Sequence, residues 1–169
     1  IRLSLVGSEM CIRDSSGKYP DAFVDAAELV EAVCSDMKLI RERGITLEYE
    51  TKTVMISVNP ELFSRLLVNL VSNAYRYGRE NGHIRVRLWQ EDSSLVLSVA
   101  DDGIGIARNE QEKIFRRFYQ ADASRGGEGT GLGLAMVYEI ARFYHGTVTV
   151  ESVVDQGSTF VVRMPAGQS

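Results

Sequence analysis

The stretch Val99-Ala100-Asp101-Asp102-Gly103-Ile104-Gly105-Ile106 decides how the rest of this chain is read. An apolar run, Leu95 to Ala100, stops on a pair of carboxylates, and glycines follow at alternate positions. Having no Cβ, glycine tolerates positive φ and lets a flat ligand approach the backbone. A buried aspartate at a strand end accepts hydrogen bonds and donates none. Facing a nucleobase, Asp101 would accept from the exocyclic amine of adenine and repel the carbonyl that guanine carries there. Asp-Gly is also ordinary turn chemistry between a strand and a loop. The neighbouring segments decide between the two.

Composition narrows the classes. The 169 residues suit one domain with a sizeable core. A net charge of -4 leaves no basic surplus to neutralise phosphates, which argues against nucleic acid as the partner. Cys11 and Cys34 are isolated and lack metal-ligand spacing, as expected of a reducing cytoplasm rather than a disulfide framework. No apolar run reaches membrane-spanning length, so any inner-membrane anchor is expected upstream of this sequence. Residues 1–15 have neither helical period nor strand alternation. They resemble translated read-through of a sequencing adapter, with a disordered linker as the alternative, and residues 16–169 are taken as the domain.

The segments on either side of the opening stretch have clear patterns. Asp25 and Glu28 form a capping box, Leu29, Val30, Val33, Met37 and Ile40 make one stripe, and Gly44 is expected to close that helix. Short strands are expected at Ile45–Tyr49 and Val54–Ile56. Asn59-Pro60 caps a second helix with the stripe Leu62, Phe63, Leu66, Leu67, Leu70, Val71 and Ala74, ending near Tyr77-Gly78. Asn69, Asn73, Arg76 and Tyr77 stack on one flank of it. A side-chain carbonyl there is a hard oxygen ligand of the kind Mg²⁺ accepts alongside phosphate, or simply an exposed polar edge.

His83–Trp89 and Leu95–Ala100 form an antiparallel hairpin that delivers the chain to Asp101, with His83 a solvated strand start. Glu110–Phe115 reads as a short helix. Arg116–Thr130, rich in Gly, Arg and Ser without a period, reads as a lid. Gly126 to Leu134 carries five glycines into a third helix (Leu134, Val137, Ile140, Ala141, Tyr144), where free amides and the helix dipole attract an anion. It is not a Walker loop, since no Gly-Lys-Ser or Gly-Lys-Thr follows. His145 caps that helix before a final hairpin, Thr147–Ser152 and Ser158–Met164.

An Asn-bearing helix, Asp-x-Gly-x-Gly, an aromatic and basic lid and a Gly-x-Gly-x-Gly helix start, in that order, resemble one known ATP-binding domain. Sensor histidine kinases, type II topoisomerases, heat-shock chaperones and mismatch-repair ATPases share it. The chain looks most like the histidine-kinase branch, through Asn69-Leu70-Val71-Ser72-Asn73-Ala74, Asp101 to Ile106, Ile114-Phe115-Arg116-Arg117-Phe118-Tyr119, Gly129-Thr130-Gly131-Leu132-Gly133-Leu134 and Gly157-Ser158-Thr159-Phe160. The likeness runs from about Tyr19 to Pro165. It implies an α+β fold, a two-layer α/β sandwich of the Bergerat type, with a mixed, mostly antiparallel sheet against three helices and an ATP lid.

The same resemblance implies ATP and Mg²⁺ as cofactors. Asp101 would hold the adenine amine with support from Thr159, alongside Gly103, Gly105 and Ile106. Asn73, with Asn69, would hold Mg²⁺, and both would count as catalytic. Arg76 would face phosphate, Tyr77 and Tyr119 would line the nucleotide site, and Gly129, Thr130, Gly131, Leu132 and Gly133 would present amides to the phosphates. Gln120 stands where the family often has arginine, so Arg125, counted as catalytic with the two asparagines, or Arg116 and Arg117, would supply that charge. Neither His83 nor His145 lies in a phosphoacceptor helix. The implied activity is therefore a protein histidine kinase's catalytic domain, acting on a histidine domain absent from this chain. A response regulator would be the downstream partner and the full-length protein a homodimer. Rival readings are a hydrolytic ATPase, a nucleotide-binding regulatory module, or a serine kinase of the anti-sigma type. Asn69 stands where hydrolytic relatives place a water-activating Glu, and an amide cannot act as that base.

Overall fold

In the computed structural model, residues 20–119 and 133–167 are described. The leader at residues 1–15 and the expected lid beyond residue 119, with Gln120, Arg125, Gly129, Thr130, Gly131 and Leu132, lie outside them. The order of elements is β1 (Ala22–Asp25), α1 (Ala26–Met37), β2 (Thr46–Thr51), β3 (Met55–Val58), α2 (Pro60–Tyr77), β4 (His83–Glu91), β5 (Ser94–Asp101), α3 (Gly133–Phe143), β6 (Thr147–Val153) and β7 (Gly157–Pro165).

The longest helix, α2, begins where Asn59 Oδ1 accepts from the amides of Glu61 (2.9 Å) and Leu62 (3.2 Å), while Pro60 has no amide to leave unsatisfied. Its expected stripe is buried in full, from Leu62 to Ala74, and Tyr75 joins it. Each fully buried Leu or Phe contributes roughly 1.5–3 kcal/mol. Two flanking asparagines cost only about half a kcal/mol each in propensity, so packing holds the helix despite them.

Five strands form one sheet in the order β2-β4-β5-β7-β6, with β2 parallel to β4 and every other pair antiparallel. The three helices pack against it, which is the expected two-layer sandwich. Along β4, Ile84, Val86 and Leu88 are buried and Arg85 and Arg87 exposed, so the even positions face the helices. The register carries that face across β5 through Leu97, Val99 and Asp101, and on to Val162, Phe160 and Ser158 of β7. Asp101 therefore ends the sheet on the helical side.

Four local expectations need correction. Strand β1, which pairs with β3 as a separate two-stranded sheet, was not anticipated. Asp25 caps α1 through Ala27 N (3.0 Å), and the same oxygen takes Val54 N (3.1 Å), so one carboxylate joins helix to ribbon. Helix α1 stops at Met37 and not at Gly44, and Ile40 is exposed rather than part of the stripe. Glu110–Phe115 is a run of turns rather than a helix, with three-residue hydrogen bonds such as Lys113 N to Glu110 O (2.9 Å). There Ile114 is buried and Phe115 meets Phe160 edge-on, so side-chain packing overrides the helical ladder.

The reason α1 ends early lies at the far end of α2. Arg43 (φ 53°) and Gly44 (φ 67°) turn the chain left-handed. The Arg43 guanidinium then donates to the carbonyls of Tyr75, Arg76 (3.1 Å) and Gly78 (3.0 Å). A helix C-terminus leaves such carbonyls without intrahelical partners, and a cation there also suits the dipole. His145 caps α3 as expected. It adopts φ 60°, while Gly146 is needed because a Cβ there would lie 2.2 Å from Arg163 O.

Candidate functional site

The carboxyl end of α2 and the Asp101–Ile106 loop meet through one carbonyl. Tyr77 O accepts Ile104 N at 3.1 Å, and a Cβ on Gly103 would lie 2.1 Å from the same oxygen. Gly105 (φ 69°) has Val153 O 2.1 Å from where its Cβ would be. Both glycines are thus demanded by backbone crossing within contact distance, and the loop is pressed flat between α2 and the β6–β7 turn. Tyr77 and Ile106 are half-buried, and Ile106 and Tyr119 pack against the core.

Asp101 Oδ1 accepts Gly103 N at 2.9 Å. Burial pushes its pKa up to about 6, against smaller lowering effects from the Gly103 and Ser158 amides. Asp102 behaves oppositely. Burial acts to raise it, but hydrogen bonds from His83 outweigh that and hold it below the usual range. His83 donates its amide (2.9 Å) and sets its ring Nδ1 3.2 Å from the second oxygen. His83 is thus the exposed strand start foreseen, with a partner the sequence did not show. Asp101 alone of the pair faces inward.

The register reassigns one residue. Asp101 pairs with Ser158, while Thr159 lies opposite Ala100, on the other face of the sheet. The neighbour beside the Asp101 carboxylate on β7 is therefore Ser158 and not Thr159, because side chains alternate faces along a strand.

On α2, Asn69 and Asn73 are half-buried and Arg76 is exposed. Gly133 opens α3 beside Asn69, whose Oδ1 would lie 3.7 Å from a Cβ there. The structure thus brings Asn69 to the start of α3, and Tyr77 to Gly103 and Asp101. Among the described residues there is no group of three or more His, Cys, Asp or Glu that could hold a metal ion. No helix of the described residues is long and apolar enough to cross a membrane.

A half-buried carboxylate facing inward at a strand end, followed by a loop whose glycines leave no room for a Cβ, fits an adenine nucleotide. The family comparison agrees, matching residues 58–168 to the histidine kinase-, DNA gyrase B- and HSP90-like ATPases. The chain belongs to that family. Within it, this is a sensor histidine kinase ATP-binding catalytic domain. It is 36% identical over 123 residues to the circadian input-output histidine kinase CikA of Synechococcus elongatus, covering 72% of this chain and 16% of that protein. It is 40% identical over 109 residues to the sensor histidine kinase RppB of Synechocystis, covering 63% and 24%. The domain spans less than a third of the length of the curated relatives it matches. Among solved structures, full-length ShkA in complex with AMPPNP superposes with a TM-score of 0.78 at 27% identity, covering 89% of this chain and 32% of that one. The catalytic domain of ThkA gives 0.73 at 27%, covering 85% and 95%.

Sequence reasoning missed Arg43, Gln111, Ser152 and Ser158. Ser158 stood inside a quoted motif, and only strand pairing shows which of its residues faces Asp101. Arg43, Gln111 and Ser152 carry no local signal, because their partners lie 5 to 46 positions away.

Proposed function

We propose that this domain, at residues 16–169, binds ATP with Mg²⁺ and directs the γ-phosphoryl group to a histidine on a separate helical domain of a cytoplasmic, homodimeric kinase. A response regulator would then receive the phosphoryl group. The observation that carries this reading is Asp101, an inward-facing carboxylate at the sheet end that opens the tightly packed Gly103–Gly105 loop. Asp101 accepts from the adenine amine, Gly103 and Gly105 let the loop lie against Tyr77 O and Val153 O and so shape the pocket, and Tyr77 and Tyr119 line it. Asn73 and Asn69 hold Mg²⁺ by their amide oxygens, Arg76 faces phosphate, and Gly133 opens the helix whose amides meet the anion. Arg125, Gly129, Thr130, Gly131 and Leu132 belong to the same site by family likeness. ATP supplies the transferable phosphoryl group, and the protein's part is positioning and charge neutralisation. Asn69 cannot take a proton from water, which favours transfer over hydrolysis.

Calorimetry with AMPPNP tests the metal assignment. In Asn73→Ala, binding is expected to lose its dependence on Mg²⁺, and a variant that responds to Mg²⁺ as the wild type does would overturn the role.

Proton linkage gives a second test. Folding raises the Asp101 pKa from 3.8 to about 6, so the ionised form is disfavoured in the native state. Its unfavourable effect on stability is absent below the ordinary pKa and fully felt above about 6. The adenine amine needs the ionised form, so binding must expel a proton at low pH. Affinity is expected to fall about tenfold per pH unit below about 6 and to level off above it. Asp101→Asn should lack that limb, and the nucleotide's own phosphate titration cancels in the ratio of the two proteins. Parallel pH profiles for both would refute the linkage.

A further inference from the structure

The β6–β7 hairpin holds the far end of the Asp101–Ile106 loop through a single hydroxyl. Ser152 Oγ accepts Ile106 N at 2.7 Å, donates to Gly157 O at 2.9 Å and lies 2.8 Å from Ser158 Oγ. With Ser158 as the donor of that last bond, both lone pairs and the one proton of Ser152 are used. Gln111 completes the clamp. Its Nε2 donates to Ile106 O and to Ser152 O, each at 3.0 Å, so both polar groups of Ile106 depend on position 152 or its neighbour. Asp155 N reaches Ile104 O at 2.8 Å, and Gly105 packs on Val153 O. Ser158, at the other end of the hydroxyl pair, sits opposite Asp101 in the ladder and is buried. One side chain therefore ties the loop end that follows the base to the strand position that faces Asp101.

We infer that Ser152 is a positioning residue for the nucleotide site. It touches no ligand, yet its hydroxyl sets where the Asp101–Ile106 loop lies, and adenine-nucleotide affinity depends on it. The inference rests on the proposed nucleotide site. Removing the hydroxyl leaves the Ile106 N–H without an acceptor in a crowded turn, and the loop must move to reach another.

Threonine and valine at this position have the same shape, both suit a β-strand, and only threonine keeps the hydroxyl. AMPPNP binding with Mg²⁺ is measured by calorimetry at a temperature where circular dichroism shows each variant folded. Ser152→Thr is expected to bind within about twofold of wild type, and Ser152→Val about tenfold more weakly. Gln111→Ala should cost clearly less in the valine background than in wild type, since the two groups hold one peptide unit. If valine prevents folding, Ser152→Ala carries the same expected loss. Equal affinities for the threonine variant and its hydroxyl-free counterpart would overturn the inference while leaving the site intact. A wild-type domain that binds no adenine nucleotide overturns the site, and the clamp's role with it.

Discussion

Replacing Asp101 by asparagine is expected to weaken ATP binding about tenfold to a hundredfold without lowering the melting temperature. The asparagine carbonyl must face Gly103 N, which now donates to Asp101 Oδ1 at 2.9 Å. Its NH₂ group is then turned toward the adenine amine, donor against donor. Turning the amide round moves the conflict to Gly103 and does not remove it. An unmade bond at a buried donor costs about 1–3 kcal/mol, and tenfold in affinity corresponds to about 1.4 kcal/mol. Stability should hold or rise, because the substitution removes a carboxylate whose ionised form folding disfavours. Titration calorimetry and a thermal melt on the same sample check both halves. Wild-type affinity in the variant would remove Asp101 from the site.

Gly157→Ala should have the largest effect on stability. Gly157 has φ 116°, which residues with a Cβ rarely adopt, and a Cβ there would lie 2.0 Å from Asp101 O and 2.8 Å from Asp102 Cα. Both obstacles are backbone and cannot swing aside. Left-handed strain of about 1–2 kcal/mol adds to overpacking of about 1–3 kcal/mol, for a loss of about 3 kcal/mol. In a domain of this size that lowers the melting temperature by roughly 6–12 °C. Because the displaced strand carries Asp101, AMPPNP affinity should fall as well. A melting temperature within about 2 °C of wild type would show that the ladder yields more easily than its geometry implies.

The two substitutions probe different kinds of information. The strand end at Asp101 was legible in the chain, since an apolar strand that ends on a carboxylate before spaced glycines is a local pattern. The same holds for α2, whose cap, stripe and polar flank all lie within one stretch of sequence. Gly157 was legible as part of a motif, but the reason for glycine there is Asp101 O, 56 positions earlier in the chain.

Misplaced expectations have the same origin. Thr159 and Ser158 are chemically similar neighbours in one motif, and the pairing of β5 with β7 decides which of them sits beside Asp101. The end of α1 was misplaced because Arg43 is drawn to carbonyls at the far end of α2, an attraction no helical period records. The turns at Glu110–Phe115 reflect burial of Ile114 and contact of Phe115 with Phe160.

By itself the sequence determined the element types of the core, the family and which residues are candidates for its site, because periodicity, caps and spaced glycines act over a few residues. Only the tertiary structure decided which side chain faces Asp101, which carbonyls Arg43 caps and how Ser152 holds the loop. Those outcomes depend on strand register and on close backbone packing between segments far apart in the chain, and spacing along one chain does not encode such proximity.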